Sequence, residues 1–118
     1  MKVGIDIIEI DRFKEENIDS FMKKYCSQNE IDYINKKKNR KETLAGIYSC
    51  KEAVLKAFKI GIGNGIGLKD VSIAHNNNIP FLEENEAILR LKKEFNICEI
   101  DVSISHSNKN AIAICIIQ

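Results

Sequence analysis

The hydrophobic positions of this chain fall into blocks of helical and strand period. The longest helical block runs from about Glu42 to Lys59. Its centre, Tyr48-Ser49-Cys50-Lys51-Glu52-Ala53-Val54-Leu55-Lys56-Ala57, is rich in helix formers and holds no Gly or Pro. At about 100° per residue, Leu44, Ile47, Tyr48, Val54, Leu55 and Phe58 gather on one side. Lys51 projects into the middle of that stripe, and Glu52 lies at its edge. Charged side chains seldom face a core unless they are paired, hydrated or bound. The broken stripe therefore marks a candidate site. The competing reading is a rim lysine whose aliphatic stem snorkels.

The other blocks frame this helix. Residues 2–10 are dominated by Ile and Val and predict a strand. Asp6 stands between Ile5 and Ile7, either on a solvent face or beside a cation. Residues 11–25 predict an amphipathic helix capped by Asp11, with Phe13, Ile18, Phe21, Met22 and Tyr25 as its apolar members. Ser27-Gln28-Asn29-Glu30 has the spacing of a capping box and starts a second helix. Gly61 to Gly67 ends the long helix with a glycine-rich turn, either a plain turn or a backbone that approaches a ligand. Strands are expected over residues 70–75 and 79–82, and a helix over 84–95. Residues 99–106 alternate, with Val102, Ile104 and His106 on one face and the serines on the other. Residues 111–117 are apolar on both faces and predict a buried strand, paired with the preceding one as a hairpin.

Composition narrows the classes. The 118 residues suit a single domain, 1–118, able to bury a core without metals or disulfides. Apolar content of 44% with 30% charged residues is that of a globular chain. A net charge of +1 gives no overall field toward nucleic acid. The basic run Lys36-Lys37-Lys38-Asn39-Arg40-Lys41 is either solvated or an anion contact, and it lacks the aromatics that stack on bases. It supports a second reading, a non-catalytic module for an anionic partner. Four cysteines form no C-x-x-C pair or zinc spacing. The first apolar run carries Asp6 and Glu9, so no signal peptide is expected; a cytoplasmic protein with reduced thiols and no membrane span is.

Several motifs then meet in one order: Gly4-Ile5-Asp6, Leu44-Ala45-Gly46, Lys51-Glu52-Ala53-x-x-Lys56-Ala57 with Gly61-Ile62-Gly63, and Val102-Ser103-Ile104-Ser105-His106-Ser107. The chain resembles the holo-acyl-carrier-protein synthases, the short type of 4′-phosphopantetheinyl transferase. That resemblance implies an α+β fold, a small antiparallel sheet packed against helices. It implies transfer of the 4′-phosphopantetheine arm of coenzyme A to a serine of apo-acyl carrier protein, in fatty acid biosynthesis, with Mg²⁺. By the same resemblance Asp6 and Glu52 hold the metal, and Glu52, directly or through a metal-bound water, is the first candidate for the base. Lys56 stabilises the leaving phosphate or moves a proton, and Lys51 is a further coenzyme-binding lysine. Gly61, Gly63, Ser105 and His106 accommodate the nucleotide part, and Arg12 docks the acidic carrier. It also implies a homotrimer with sites between subunits.

The chain departs from the family pattern in three places. Ile47 stands where Arg is common, which leaves a phosphate contact to the Lys36–Lys41 run or to a neighbouring subunit. Lys59 replaces a common Gly, which predicts a slightly longer helix. The docking helix is diluted by Glu15, Glu16 and Asp19.

Overall fold

The structure, a computed structural model, describes residues 1–60 and 65–118. Five strands and four helices form in chain order: β1 (Lys2–Glu9), α1 (Glu15–Tyr25), α2 (Gln28–Asn35), α3 (Arg40–Phe58), β2 (Ile73–Asn76), β3 (Ile79–Leu82), α4 (Glu86–Glu94), β4 (Ile100–His106) and β5 (Asn110–Ile117). Two 3-10 turns, Ile10–Arg12 and Leu68–Asp70, fill connections. The strands make an antiparallel sheet in the order β1-β5-β4 and a separate β2-β3 hairpin. This is the α+β architecture that the family resemblance implies.

Helix α3 lies across one face of the three-stranded sheet because both surfaces are small there. Central strand β5 turns Ala111, Ala113 and Cys115 inward, and α3 answers with Ala45, Cys50, Ala53 and Ala57, all buried. Gly4 of β1 brings the two backbones closer still: a Cβ there would sit 2.0 Å from the Ala53 carbonyl oxygen, so only glycine permits the approach. Gly46 of α3 makes room for a side chain instead, since a Cβ there would sit 2.6 Å from His106 Nε2 and displace the ring. The Gly4–Asp6–Ile8 row of β1 therefore faces the helix, not solvent.

Three boundaries differ from the periodicity. Asp11 caps nothing: residues 10–12 form a 3-10 turn, and α1 starts at Glu15 with no side-chain cap. Phe13 leaves the helix to pack edge-on against Phe21 and Tyr48, with ring centroids 5.0 and 5.9 Å away. Helix α3 is not lengthened through Lys59; it ends at Phe58, with Lys59 in the left-handed region at φ 58°. Strand β2 starts later than expected, after the turn at Leu68–Asp70.

The largest correction concerns β5. It is not buried on both faces, because α3 covers one side of the sheet alone. Val3, Ile5 and Ile7 of β1 are more than half exposed, and Ile112, Ile114 and Ile116 of β5 are over a third exposed on the same face. An apolar sheet face of this breadth is open in the single chain.

Candidate active site

The register of the sheet places the candidate residues. Asp6 pairs with Ala113, which pairs with Ile104; Ile8 pairs with Ala111, which pairs with His106. Asp6 and His106 thus share the helix-facing side of the sheet, on its two outer strands, with α3 running between them. Two half-sites result.

The first half-site lies at the β1 edge. Lys56 Nζ is 3.0 Å from Asp6 Oδ1 and donates a 3.2 Å hydrogen bond to the Ile5 carbonyl. The Asp6 side chain is 15% exposed, but that of Lys56 is 54% exposed, so the ammonium still has a proton free for an anion. Glu52 lies one helical turn before Lys56 and is half-buried. Tyr48 lies one turn earlier. Its hydroxyl is held above the usual phenol range by burial, then by the negative charge of Glu52, and Asp6 adds to the same effect. Tyr48 therefore stays protonated beside the two carboxylates. The Arg12 guanidinium rests 5.6 Å from the centre of the Tyr48 ring. It is exposed, and with Lys14, Asn17 and Phe21 it lines a groove at the start of α1.

The second half-site is a cavity of about 270 Å³ at the β4 edge, lined by Tyr33, Lys37, Gly46, Ile47, His75, Pro80 and His106 among others. His106 Nε2 lies 3.1 Å from the Glu42 carbonyl oxygen. A carbonyl only accepts, so Nε2 carries the proton there. The His75 ring stacks on Tyr33 at 3.9 Å and 4° between planes. Lys37 sits 4.7 Å from the centre of that Tyr33 ring and donates to Asn78 Oδ1 at 3.1 Å. Burial, then the Lys37 ammonium, push the His75 imidazole below its ordinary 6.5. His75 Nδ1 has no hydrogen-bond partner among the described residues.

This cavity includes none of Asp6, Glu52 and Lys56. A second, mostly apolar hollow of about 350 Å³ is lined by Asp6, Lys56, Ile5, Ile7 and Ile112, and not by His106. Among the described residues, neither of these two cavities is lined by both His106 and the Asp6–Lys56 pair.

Lys51 is a correction. It does not reach coenzyme or solvent. Its Nζ is 2.6 Å from Glu30 Oε1 and donates to the Leu68 and Val71 carbonyls at 2.8 Å each, with the whole residue 0% exposed. All three ammonium protons are used inside the core. Ser105 also falls elsewhere: it alternates with His106 and lies on the exposed face of β4, opposite Ile112. Gly61 and Gly63 lie outside the described residues. The basic run is not one patch. Arg40 pairs with Asp19, Lys41 with Asp11 at 3.4 Å, and Lys37 borders the cavity beside Ile47.

Tyr33, His75 and Tyr48 were missed as site residues, since each reads as an ordinary strand or helix position. Glu30 was read only as a capping residue, which it is: its Oε1 accepts from Ser27 N at 2.8 Å. Its second role had a signal, because Glu30 shares the buried α2 face with Ile34 one turn on.

Among the described residues no cluster of three or more His, Cys, Asp or Glu gathers for a metal. Asp6 of β1 and Glu52 of α3 both act by their charge on the Tyr48 hydroxyl, which puts two carboxylates on that side of α3 beside an exposed cation. Hard divalent cations of the Mg²⁺ kind are commonly held by one or two carboxylates, with water and substrate phosphate filling the rest. The donor set fits such an ion.

A fold with two carboxylates and a lysine at one sheet edge, and a cation-rimmed aromatic cavity at the other, suits an enzyme that handles a phosphorylated substrate. Comparison with known proteins gives the class. A model of the 4′-phosphopantetheinyl transferase superfamily matches residues 2–115, and the chain belongs to that family as a phosphopantetheinyl transferase. It is similar to the holo-[acyl-carrier-protein] synthase of Fusobacterium nucleatum, 41% identical over 120 residues, covering 98% of this chain and 96% of that one. The synthase of Finegoldia magna is 36% identical over 119 residues, covering 100% of this chain and 96% of its own. Among solved structures, the Helicobacter pylori holo-[acyl-carrier-protein] synthase in complex with coenzyme A superposes with TM-score 0.83 at 29% identity, over 98% of this chain and 99% of that one.

Proposed function

We propose that this chain, as one domain over residues 1–118, transfers the 4′-phosphopantetheine arm of coenzyme A to a serine of apo-acyl carrier protein, releasing adenosine 3′,5′-bisphosphate. The observation that carries the reading is the contact of Asp6 with the exposed Lys56 at the β1 edge of α3, with Glu52 one helical turn before that lysine. The full-length likeness to holo-[acyl-carrier-protein] synthases supports it.

Asp6 and Glu52 are the residues that would hold Mg²⁺. Bound there, the ion neutralises pyrophosphate charge and acts as a Lewis acid. The rest falls to this chain's side chains. Glu52 accepts the proton of the attacking carrier serine. Lys56, anchored by Asp6, places its third ammonium proton against the phosphate that leaves with the nucleotide, where negative charge grows. The nucleotide part takes the cavity of His106, with Lys37 supplying a cation beside Ile47. Arg12 and Lys14 meet the acidic carrier and assist its orientation and on-rate.

The two half-sites belong to different copies. The open apolar face of Val3, Ile5, Ile7, Ile112, Ile114 and Ile116 would be covered by a neighbouring copy in a homotrimer, joining one copy's Asp6–Glu52–Lys56 edge to another's cavity. Fatty acid biosynthesis in the cytoplasm is the setting for such a reaction. Among the described residues no helix is long and apolar enough to cross a membrane. The second reading, a non-catalytic anion-binding module, loses its basis because the basic run is split among separate partners.

The test incubates purified protein with apo-acyl carrier protein, coenzyme A and Mg²⁺ and reads the carrier's intact mass. Gain of one phosphopantetheine arm is expected. No gain, under conditions where a known transferase works, removes the proposal.

A further inference from the structure

The buried Lys51–Glu30 pair is left unused by the reaction, though Lys51 sits next to Glu52. We infer that Lys51 is a positioning residue for the His106 cavity, acting through Glu30 and the start of β2. The inference rests on the transferase reading for what the cavity binds.

Glu30 opens α2, the helix that carries Tyr33. Its Oε1 takes Ser27 N and Lys51, and its Oε2 takes Ile73 N at 2.8 Å. Lys51 in turn holds the Leu68 and Val71 carbonyls. The segment between Leu68 and Ile73 has one 3-10 turn of its own; Asn85 holds its Asp70 carbonyl and Ser72 bonds to Ser27 and Glu83, and the Lys51 and Glu30 bonds supply its buried side, where β2 begins. Two residues later His75 stacks on Tyr33 in the cavity wall. One ammonium on α3 thus fixes the α2 and β2 walls against the wall formed by Gly46 and His106.

Burial pushes the Glu30 carboxyl up, and Lys51 with the Ile73 and Ser27 amides pull it back. Hydrophobic residues of similar volume commonly match such a buried pair in stability. What they cannot do is aim four backbone groups, the Ser27 and Ile73 amides and the Leu68 and Val71 carbonyls. The pair is directional, and its loss should be read in the cavity before the chemistry.

The test uses the full chain with Glu30→Leu and Lys51→Met together, which leaves no charge buried alone. A second variant, Glu30→Gln with Lys51→Met, keeps an oxygen acceptor for the Ser27 and Ile73 amides, again leaves no charge buried alone, and covers failure of the first to fold. Three readouts are taken on folded protein: adenosine 3′,5′-bisphosphate affinity by calorimetry, KM for coenzyme A against kcat, and the ring-shifted proton signals of His75. The expected result is affinity weaker and KM higher by about tenfold, the equivalent of one good hydrogen bond to a charged group, with kcat nearly unchanged. The His75 signals move as the stack on Tyr33 loosens. Unchanged KM, affinity and His75 signals overturn the inference and leave the pair a packing element. So does a fall in kcat at constant KM. If the wild-type chain neither transfers nor binds the bisphosphate, the transferase reading falls, and the His75 signals alone decide the positioning claim.

Discussion

Lys56 Nζ lies 3.0 Å from Asp6 Oδ1, and that contact ties α3 to β1 at the point where Gly4 lets the two backbones touch. The pair is lopsided: the carboxylate is mostly covered and the ammonium mostly exposed. An exposed ion pair contributes about 0–1 kcal/mol to stability, so Lys56→Met should leave the melting temperature nearly unchanged. Transfer should fall by about 100-fold or more, the usual effect of removing a donor aimed at developing charge. Thermal melts beside initial rates check both halves. A large loss of stability with little loss of rate would make Lys56 structural.

The open sheet face gives a prediction about assembly. Ile114 is central on that face and points away from α3. Ile114→Asp should convert a trimer into monomer by light scattering, and activity should drop although Asp6, Glu52 and Lys56 remain. Mixing inactive Glu52→Gln chains with inactive His106→Ala chains should restore part of the rate, since some mixed sites would then be whole. No recovery on mixing would place both half-sites in one chain.

Lys59 holds a left-handed conformation at the end of α3, where residues with a side chain are disfavoured. Lys59→Gly should stabilise the chain by up to about 1 kcal/mol, read as a higher urea midpoint. A lower midpoint would mean that the lysine side chain itself holds the cap.

His75 gives a signed pH dependence. Its folded value lies below the ordinary 6.5, through burial and then Lys37. Between the two values the unfolded chain binds a proton that the folded chain does not, so stability rises with pH and is lost as pH falls through that window. His75→Phe keeps a ring on Tyr33 and removes the proton. Urea midpoints measured on both sides of 6.5 should fall less for the variant than for the wild type. Equal falls would remove His75 as a source.

The element order was legible because each block carries its own period, and capping marked α2 correctly at Ser27. The two out-of-place acids of the motif, Asp6 and Glu52, were legible as a pair only through the family resemblance. Periodicity alone left Asp6 open to solvent, because it cannot see that Gly4 presses β1 onto Ala53. It found that Lys51 was costly, but not that its partner was Glu30, 21 positions away on another helix. Strand β5 misled for a related reason. An apolar face looks buried in sequence whether α3 or another copy of the chain covers it.

The central claim is that Glu52 works at the reacting serine, beside Asp6 and Lys56. The direct measurement is the single-turnover rate of arm transfer by wild type and by Glu52→Gln, at saturating coenzyme A, apo-carrier and Mg²⁺, with the fold of both checked by circular dichroism. The account predicts transfer by the wild type and a rate lower by about 100-fold or more in the variant, the scale of a lost general base. Equal rates in the two folded proteins would contradict it.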